Sequence, residues 1–156
     1  MLTSDVLDLR EDASVCSIAM HLLGQKRAIT GRIRTVRCFE DNLLVKAAMA
    51  EPSSGEVLVI DGGESLRIAL MGEQIASAGA ANGWAGAIVF GAIRDSVAID
   101  ALAFHVKTLG TNPRRSSKTG VGERDIIIEL GGVSFVSGWF LYSDADGIVV
   151  LPEPVG

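Results

Sequence analysis

Two uninterrupted apolar runs, Val57-Leu58-Val59-Ile60 and Ala87-Ile88-Val89-Phe90, constrain this chain more than any other feature. A strand with one wet face alternates apolar and polar residues, whereas a run without alternation is buried on both faces. Between the runs, Gly72 to about Asn82 reads as a helix. Alanines at 76, 78, 80 and 81 give it high propensity and a thin side that can lie close to a sheet, and Gly83 stops it. Helix and second strand form a crossover, which places the helix start, Gly72-Glu73-Gln74-Ile75, near the residues just past the strand, Arg94-Asp95. Ligands collect at that carboxyl edge in α/β sheets.

The rest of the chain supplies further elements without a linker-like gap. Ser4 or Asp5 can cap a short helix through Leu9, and Ile29 to Val36 alternates as a strand with Arg32 and Arg34 on its wet face. Asp41 can cap a helix from Asn42 to about Ala50, and Pro52-Ser53-Ser54-Gly55 breaks the chain before Val57. Asp61-Gly62-Gly63 makes a turn, and Leu66 to Leu70 is a short strand. Asp95 to about Leu102 reads as a helix, Phe104 to Lys107 as a strand, and Gly110 to Gly120 as a polar loop whose Arg114, Arg115 and Lys118 are solvated or meet another subunit, the alternative being a lid over an acidic substrate. Asp125 to Leu130, Val133 to Val136, Leu141-Tyr142 and Ile148 to Leu151 complete a β-rich end. The class is α/β or α+β.

Composition narrows function. The 156 residues make one domain, and 5% aromatic content means an aliphatic core. A net charge of −5 argues against a general phosphate-backbone binder, so no direct nucleic-acid contact is expected. Cys16 and Cys38 form no disulfide framework and read as reduced, part-buried thiols. The acidic start lacks a signal-peptide pattern and no apolar run approaches the roughly 20 residues of a membrane span, which places the protein in the cytoplasm. No dinucleotide fingerprint, phosphate loop or nucleophile elbow occurs. His21 and His105 lack metal-ligand spacing and read as surface or structural residues, and Trp84 and Trp139 as packing or interface residues. Asp144-Ala145-Asp146-Gly147 is a hairpin turn rather than a calcium loop.

The constellation around Arg94-Asp95 suits a small 2-oxo acid. The opening amides of a helix have no partner within it and favour an anion, so those of Gly72, Glu73, Gln74 and Ile75 can hold a carboxylate. Arg94 supplies a charged donor to the carboxylate or keto oxygen. Asp95 can hold Mg²⁺ or Mn²⁺, since one carboxylate plus waters is hard-cation coordination. The competing reading is structural: Arg94 and Asp95 cap the next helix, with Asp95 as its N-cap.

The stretch Gly72-Glu73-Gln74-Ile75-Ala76, Asn82-Gly83-Trp84-Ala85-Gly86 and Gly91-Ala92-Ile93-Arg94-Asp95 resembles the family that joins the regulator of ribonuclease activity A to the class II 4-hydroxy-4-methyl-2-oxoglutarate aldolases. Val36 to Asn42, Val59 to Gly63, Leu109 to Pro113, Gly131 to Val133 and Tyr142 to Ile148 carry the resemblance over nearly the whole chain, as a single domain spanning 1–156. The resemblance implies a compact α/β/β sandwich of the swivelling type, assembled as a trimeric ring (possibly paired into a hexamer) with sites at subunit boundaries.

It also implies divalent-metal lyase chemistry through a pyruvate enolate. The reactions are aldol cleavage of 4-hydroxy-4-methyl-2-oxoglutarate to pyruvate and decarboxylation of oxaloacetate. In this pattern Arg94 and Glu73 are catalytic; Gly72, Glu73, Gln74, Ile75 and Arg94 bind substrate; and Asp95 ligates the metal. Three departures stand out. Ala98 occupies a position often acidic in relatives, Glu73 replaces a more usual Asp, and no counterpart of the larger aldolases' C-terminal extension precedes Gly156. The second function the resemblance implies is a non-catalytic regulator that binds an endoribonuclease complex and lowers its activity. A quinone-biosynthesis methyltransferase, a label attached to some relatives, is disfavoured because no Gly-rich cofactor loop follows the first strand.

Overall fold

The computed structural model describes every residue from Met1 to Gly156. The chain runs α1 (Thr3–Leu9), β1 (Ser14–Val15), β2 (His21–Leu23), β3 (Ile29–Cys38), α2 (Leu43–Met49), β4 (Val57–Asp61), β5 (Ala69–Met71) and α3 (Glu73–Ala81). It continues through β6 (Gly86–Ile93), α4 (Ser96–Asp100), β7 (His105–Thr111), β8 (Gly122–Arg124), β9 (Ile128–Leu130), β10 (Val133–Phe135), β11 (Phe140–Asp144) and β12 (Gly147–Leu151).

The long strand β3 joins two sheets. Its first half pairs antiparallel with β11, from Ile29 opposite Ser143 to Arg32 opposite Phe140. Its second half pairs parallel with β4, from Ile33 opposite Val57 to Arg37 opposite Asp61. The strand order is β1-β12-β11-β3-β4-β6-β7-β2, and the β3-β4-β6-β7 core is parallel. The apolar runs are thereby explained: Leu58, Ile60 and Val89 pack against α2, α3 and α4, while Val57, Val59, Ile88 and Phe90 pack against the β-rich end. Phe90 and Phe135 meet across that second interface with ring centroids 5.6 Å apart. Helices, parallel sheet and second sheet make the expected α/β/β sandwich, and α1 closes the outer face of β11 and β12 through Val6, Tyr142 and Val149. The thin side of α3 is used to the limit, because a methyl group on Gly79 would stand 2.2 Å from Met49 Sδ.

Several local expectations shift, each because a distant partner intervenes. The Asp125 to Leu130 strand shortens to β9, since Asp125 turns left-handed (φ 56) to meet the Arg34 guanidinium at 2.8 and 2.9 Å. The preceding residues form β8 and pair with β3. The Leu66 to Leu70 strand begins only at Ala69, because Asn112 Nδ2 takes the Leu66 carbonyl and Arg67 reaches Glu40. The helix after Asp95 is five residues, Ser96–Asp100, and the edge strands β1 and β2 are too short to leave a periodic signal.

Asp41 sits one residue before the N-cap of α2, and its buried carboxylate accepts from the backbone N–H groups of Leu43, Thr119 and Gly120 and from the hydroxyls of Ser117 and Thr119. It stitches the 111–120 loop onto α2. Trp84 is buried and donates to the Glu51 carbonyl, while His21 is exposed. Asp144 and Gly147 are directly paired, so Ala145-Asp146 is the two-residue hairpin turn the sequence indicates. No helix is long and apolar enough to cross a membrane.

Candidate active site

Strand β6 delivers Ile93 to the carboxyl edge of the sheet, between Met71 of β5 and Thr111 of β7. Arg94 keeps one more sheet-like bond, its N–H donating to the Met71 carbonyl at 2.9 Å. Asp95 then adopts a left-handed conformation, φ 58 and ψ 41, and swings the chain off the strand into α4. Aspartate tolerates this region better than most residues. It occupies the N-cap position of α4, yet its side chain makes no capping bond there. Instead Oδ2 accepts the N–H of Glu73, the first residue of α3, at 3.0 Å. Asp95 thus caps the helix it faces and not the helix it begins.

Gly72 makes this possible. A methyl group there would lie 2.7 Å from Asp95 Oδ2 and 3.3 Å from Cγ and Nε of Arg94. Gly72→Ala is therefore expected to displace the Asp95 carboxylate and to destabilise the fold by roughly 1–3 kcal/mol, as overpacking does. A urea-unfolding midpoint equal to the parent protein's contradicts that contact.

Around this junction lies an open cavity of about 440 Å³ lined by Arg94, Asp95, Ser96, Thr111, Asn112 and Pro113, without a hydrophobic side chain. The molecule's ion pairs engage Arg10, Arg34, Arg37, Arg67 and Arg124 and leave the Arg94 guanidinium free. Loop 111–113 forms the far wall and is held firmly. Asn112 donates its N–H to the Ile93 carbonyl at 3.0 Å and its Nδ2 to the Leu66 carbonyl at 2.9 Å, while Oδ1 accepts the Arg114 N–H at 2.9 Å. Ser96, Thr111, Asn112 and Pro113 are cavity residues to which no sequence motif assigns a role. The available signal was a polar segment following the carboxyl end of a strand next to β6.

The structure brings Gly72, Glu73, Arg94 and Asp95 together and divides the rest. The Gln74 and Ile75 side chains face a separate depression with Lys46 and Lys118. Their amides nonetheless belong to the open end of α3, because Ala76 is the first residue to bond back, to the Gly72 carbonyl. The Glu73 side chain is exposed and the Glu73 amide is occupied by Asp95, which leaves the amides of Gln74 and Ile75 for a ligand.

No group of three or more His, Cys, Asp or Glu side chains is placed to hold a metal ion. Asp100 is committed elsewhere, its Oδ1 accepting the Gly24 N–H at 3.0 Å. A lone exposed carboxylate fits a hard cation that keeps several waters, and does not fit a soft or tightly caged one. Cys38 lines a different depression, and burial, with Asp41 and Asp61 alongside, pushes its thiol up to about 12, away from the reactive thiolate.

The sequence model of the RraA-like family, Aldolase/RraA, matches residues 3–150. The chain belongs to this family. It is 42% identical to a protein from Geobacillus kaustophilus described as an S-adenosylmethionine:2-dimethylmenaquinone methyltransferase, over 99% of this chain and 97% of that one, with a TM-score of 0.97. It is 38% identical to the RNA-processing inhibitor RraA from Thermus thermophilis, over 100% and 95% of the two chains, again with a TM-score of 0.97. A Streptomyces coelicolor member of the RNase ES inhibitor RraA family, at 23% identity and a TM-score of 0.77, shares the fold. RraA-like proteins therefore include relatives carrying quite different functional descriptions on one scaffold, and the site must argue for itself.

Proposed function

We propose that this RraA-like protein is a divalent-metal-dependent lyase of small 2-oxo acids, cleaving 4-hydroxy-4-methyl-2-oxoglutarate and decarboxylating oxaloacetate to release pyruvate. One observation carries the reading: an Arg94 guanidinium without an ion pair stands beside an exposed Asp95 carboxylate that a left-handed turn holds against the start of α3. A structural cap needs no such neighbour, and an unpaired arginine at the head of a helix is a receptor for an anion.

In this reading the amides of Gln74 and Ile75, together with Arg94, take the substrate carboxylate and keto oxygen. Asp95 would hold Mg²⁺ or Mn²⁺, a hard cation that keeps most of its waters. The cation, when bound, polarises the keto group as a Lewis acid. Glu73, exposed on the first turn of α3, would order the water that exchanges protons with the substrate. The walls at Thr111 to Pro113 fix the substrate's orientation without apolar contact. We place the protein in the cytoplasm as a trimer.

The test is pyruvate release from oxaloacetate with Mn²⁺, measured against a metal-only control, since free cations decarboxylate oxaloacetate slowly by the same electronics. Turnover above that control is expected. Arg94→Ala is expected to lower kcat/KM by roughly 10- to 100-fold, because one charge-assisted donor contributes about 1.5–3 kcal/mol. Absence of turnover above the control overturns the lyase reading. The 38% identity to an RNA-processing inhibitor then favours the alternative, a regulator docking on an endoribonuclease complex.

A further inference from the structure

A second, separate feature concerns Lys107, in the middle of β7 between β6 and β2. Its side chain points into the β-rich layer, and the residue is only 4% exposed. A buried ammonium needs a counter-charge, or it costs several kcal/mol. None of the ion pairs includes Lys107. Its single partner is the Gly147 carbonyl at 3.0 Å, so two of its three N–H donors lack an acceptor.

Asp144 and Asp146 lie close enough to favour the charged amine, but neither reaches ion-pair distance. Asp144 is taken up by the N–H and hydroxyl of Thr3 and the N–H of Asp146, and Asp146 itself is exposed. Burial lowers the amine's proton affinity below the usual lysine value, against the opposing pull of Asp144, Cys16 and Asp146.

A cavity of about 280 Å³ opens beside this amine. Ala19 and Met20 line it, and their backbone N–H groups bond to nothing else in the chain. Ile18, Met20 and Ile148 are apolar residues of its lining, and Asp146 lines it as well.

We propose that this cavity binds a small monocarboxylate. Its carboxylate sits on Lys107 Nζ and the amides of Ala19 and Met20, and its short apolar tail lies against Ile18, Met20 and Ile148. The ligand supplies acceptors for the two Nζ–H donors that the fold leaves unmet. Asp146 repels a second negative group, so dicarboxylates and phosphate bind less well. The site shares no residue with the Arg94–Asp95 cavity.

Butyrate is a suitable probe. At fixed ionic strength, with chloride as the control, it is expected to raise the melting temperature saturably and to shift the amide NMR signals of Ala19, Met20 and Gly147, while succinate and phosphate bind more weakly. Lys107→Met is expected to weaken binding roughly tenfold or more, as loss of a charged hydrogen-bonding partner does, and Asp95→Asn to leave it unchanged. No saturable effect, an undiminished effect in Lys107→Met, or amide shifts confined to other residues overturns the proposal. Should Lys107→Met not fold, the NMR map on the parent protein decides alone.

Discussion

Asp95→Asn is expected to reduce Mn²⁺-dependent pyruvate release from oxaloacetate by roughly 10²–10³-fold, the cost of removing one electrostatic element from a site of this kind. Asparagine is the informative replacement because it changes charge and little else. It tolerates the left-handed region that Asp95 occupies at φ 58, and its side-chain oxygen can still accept the Glu73 N–H. The cap on α3 survives, so the melting temperature should stay within a few degrees of the parent protein's. Asp95→Ala removes the cap as well and adds strain at a positive φ, and it is expected to lose about 1–2 kcal/mol of stability besides the activity. Full activity in Asp95→Asn means that Asp95 only caps α3, and the proposed metal role then falls. The two variants together separate architecture from chemistry, which the single observation of a carboxylate at a helix start does not.

The second large effect is on stability and pH. His105 is fully buried, with Nδ1 2.7 Å from the Lys26 carbonyl and Nε2 2.9 Å from Ser143 Oγ. A ring that donates from Nδ1 to a carbonyl and accepts a hydroxyl proton at Nε2 is the neutral tautomer. Burial lowers the imidazole from its usual 6.5 to about 4, with Lys107 and Arg27 pushing the same way and Lys26's carbonyl and Asp144 opposing. Between these two values the unfolded chain binds a proton that the folded chain does not. Stability therefore rises with pH through this window, is fully present above about 6.5, and is lost as pH falls towards 4.

At about 1.4 kcal/mol per pKa unit the loss amounts to about 3 kcal/mol. The shifted carboxylates, among them Asp125 and Glu51, have unfolded values at or below 4.5, so they act mostly below pH 5. Urea unfolding at pH 7, 6 and 5 should show a steady fall in the midpoint, and His105→Gln should flatten that fall while lowering stability at pH 7. An equally steep pH dependence in His105→Gln assigns the effect to another group.

These two residues also show how differently the parts of this protein could be read. Asp95 stood out in the sequence because a helix pattern and a buried-strand pattern bracket it, and both depend only on neighbours within a few residues. His105 read as a surface or structural histidine, and nothing in its local sequence foretold a bond to Ser143 across the sheet. Lys107 is a similar case: a strand at its position was legible, but its burial without an ion pair was not. The same limit explains Asp125. Its segment has the composition of a long strand, and only Arg34, brought alongside by β3, turns it into a bend.

The sequence by itself determined the layered plan: two doubly buried strands, the alanine-rich helix between them, the hairpin at Asp144 to Gly147, and an arginine and aspartate at the sheet's carboxyl edge. All follow from periodicity, propensity and turn chemistry, which act over a few residues. Tertiary structure alone decided that Asp95 would cap α3 instead of α4, that Arg94 would remain unpaired, and that loop 111–113 would wall the cavity. Each of those depends on which groups meet when distant segments pack, and hydrogen bonds and ion pairs form between neighbours in space whatever their separation along the chain.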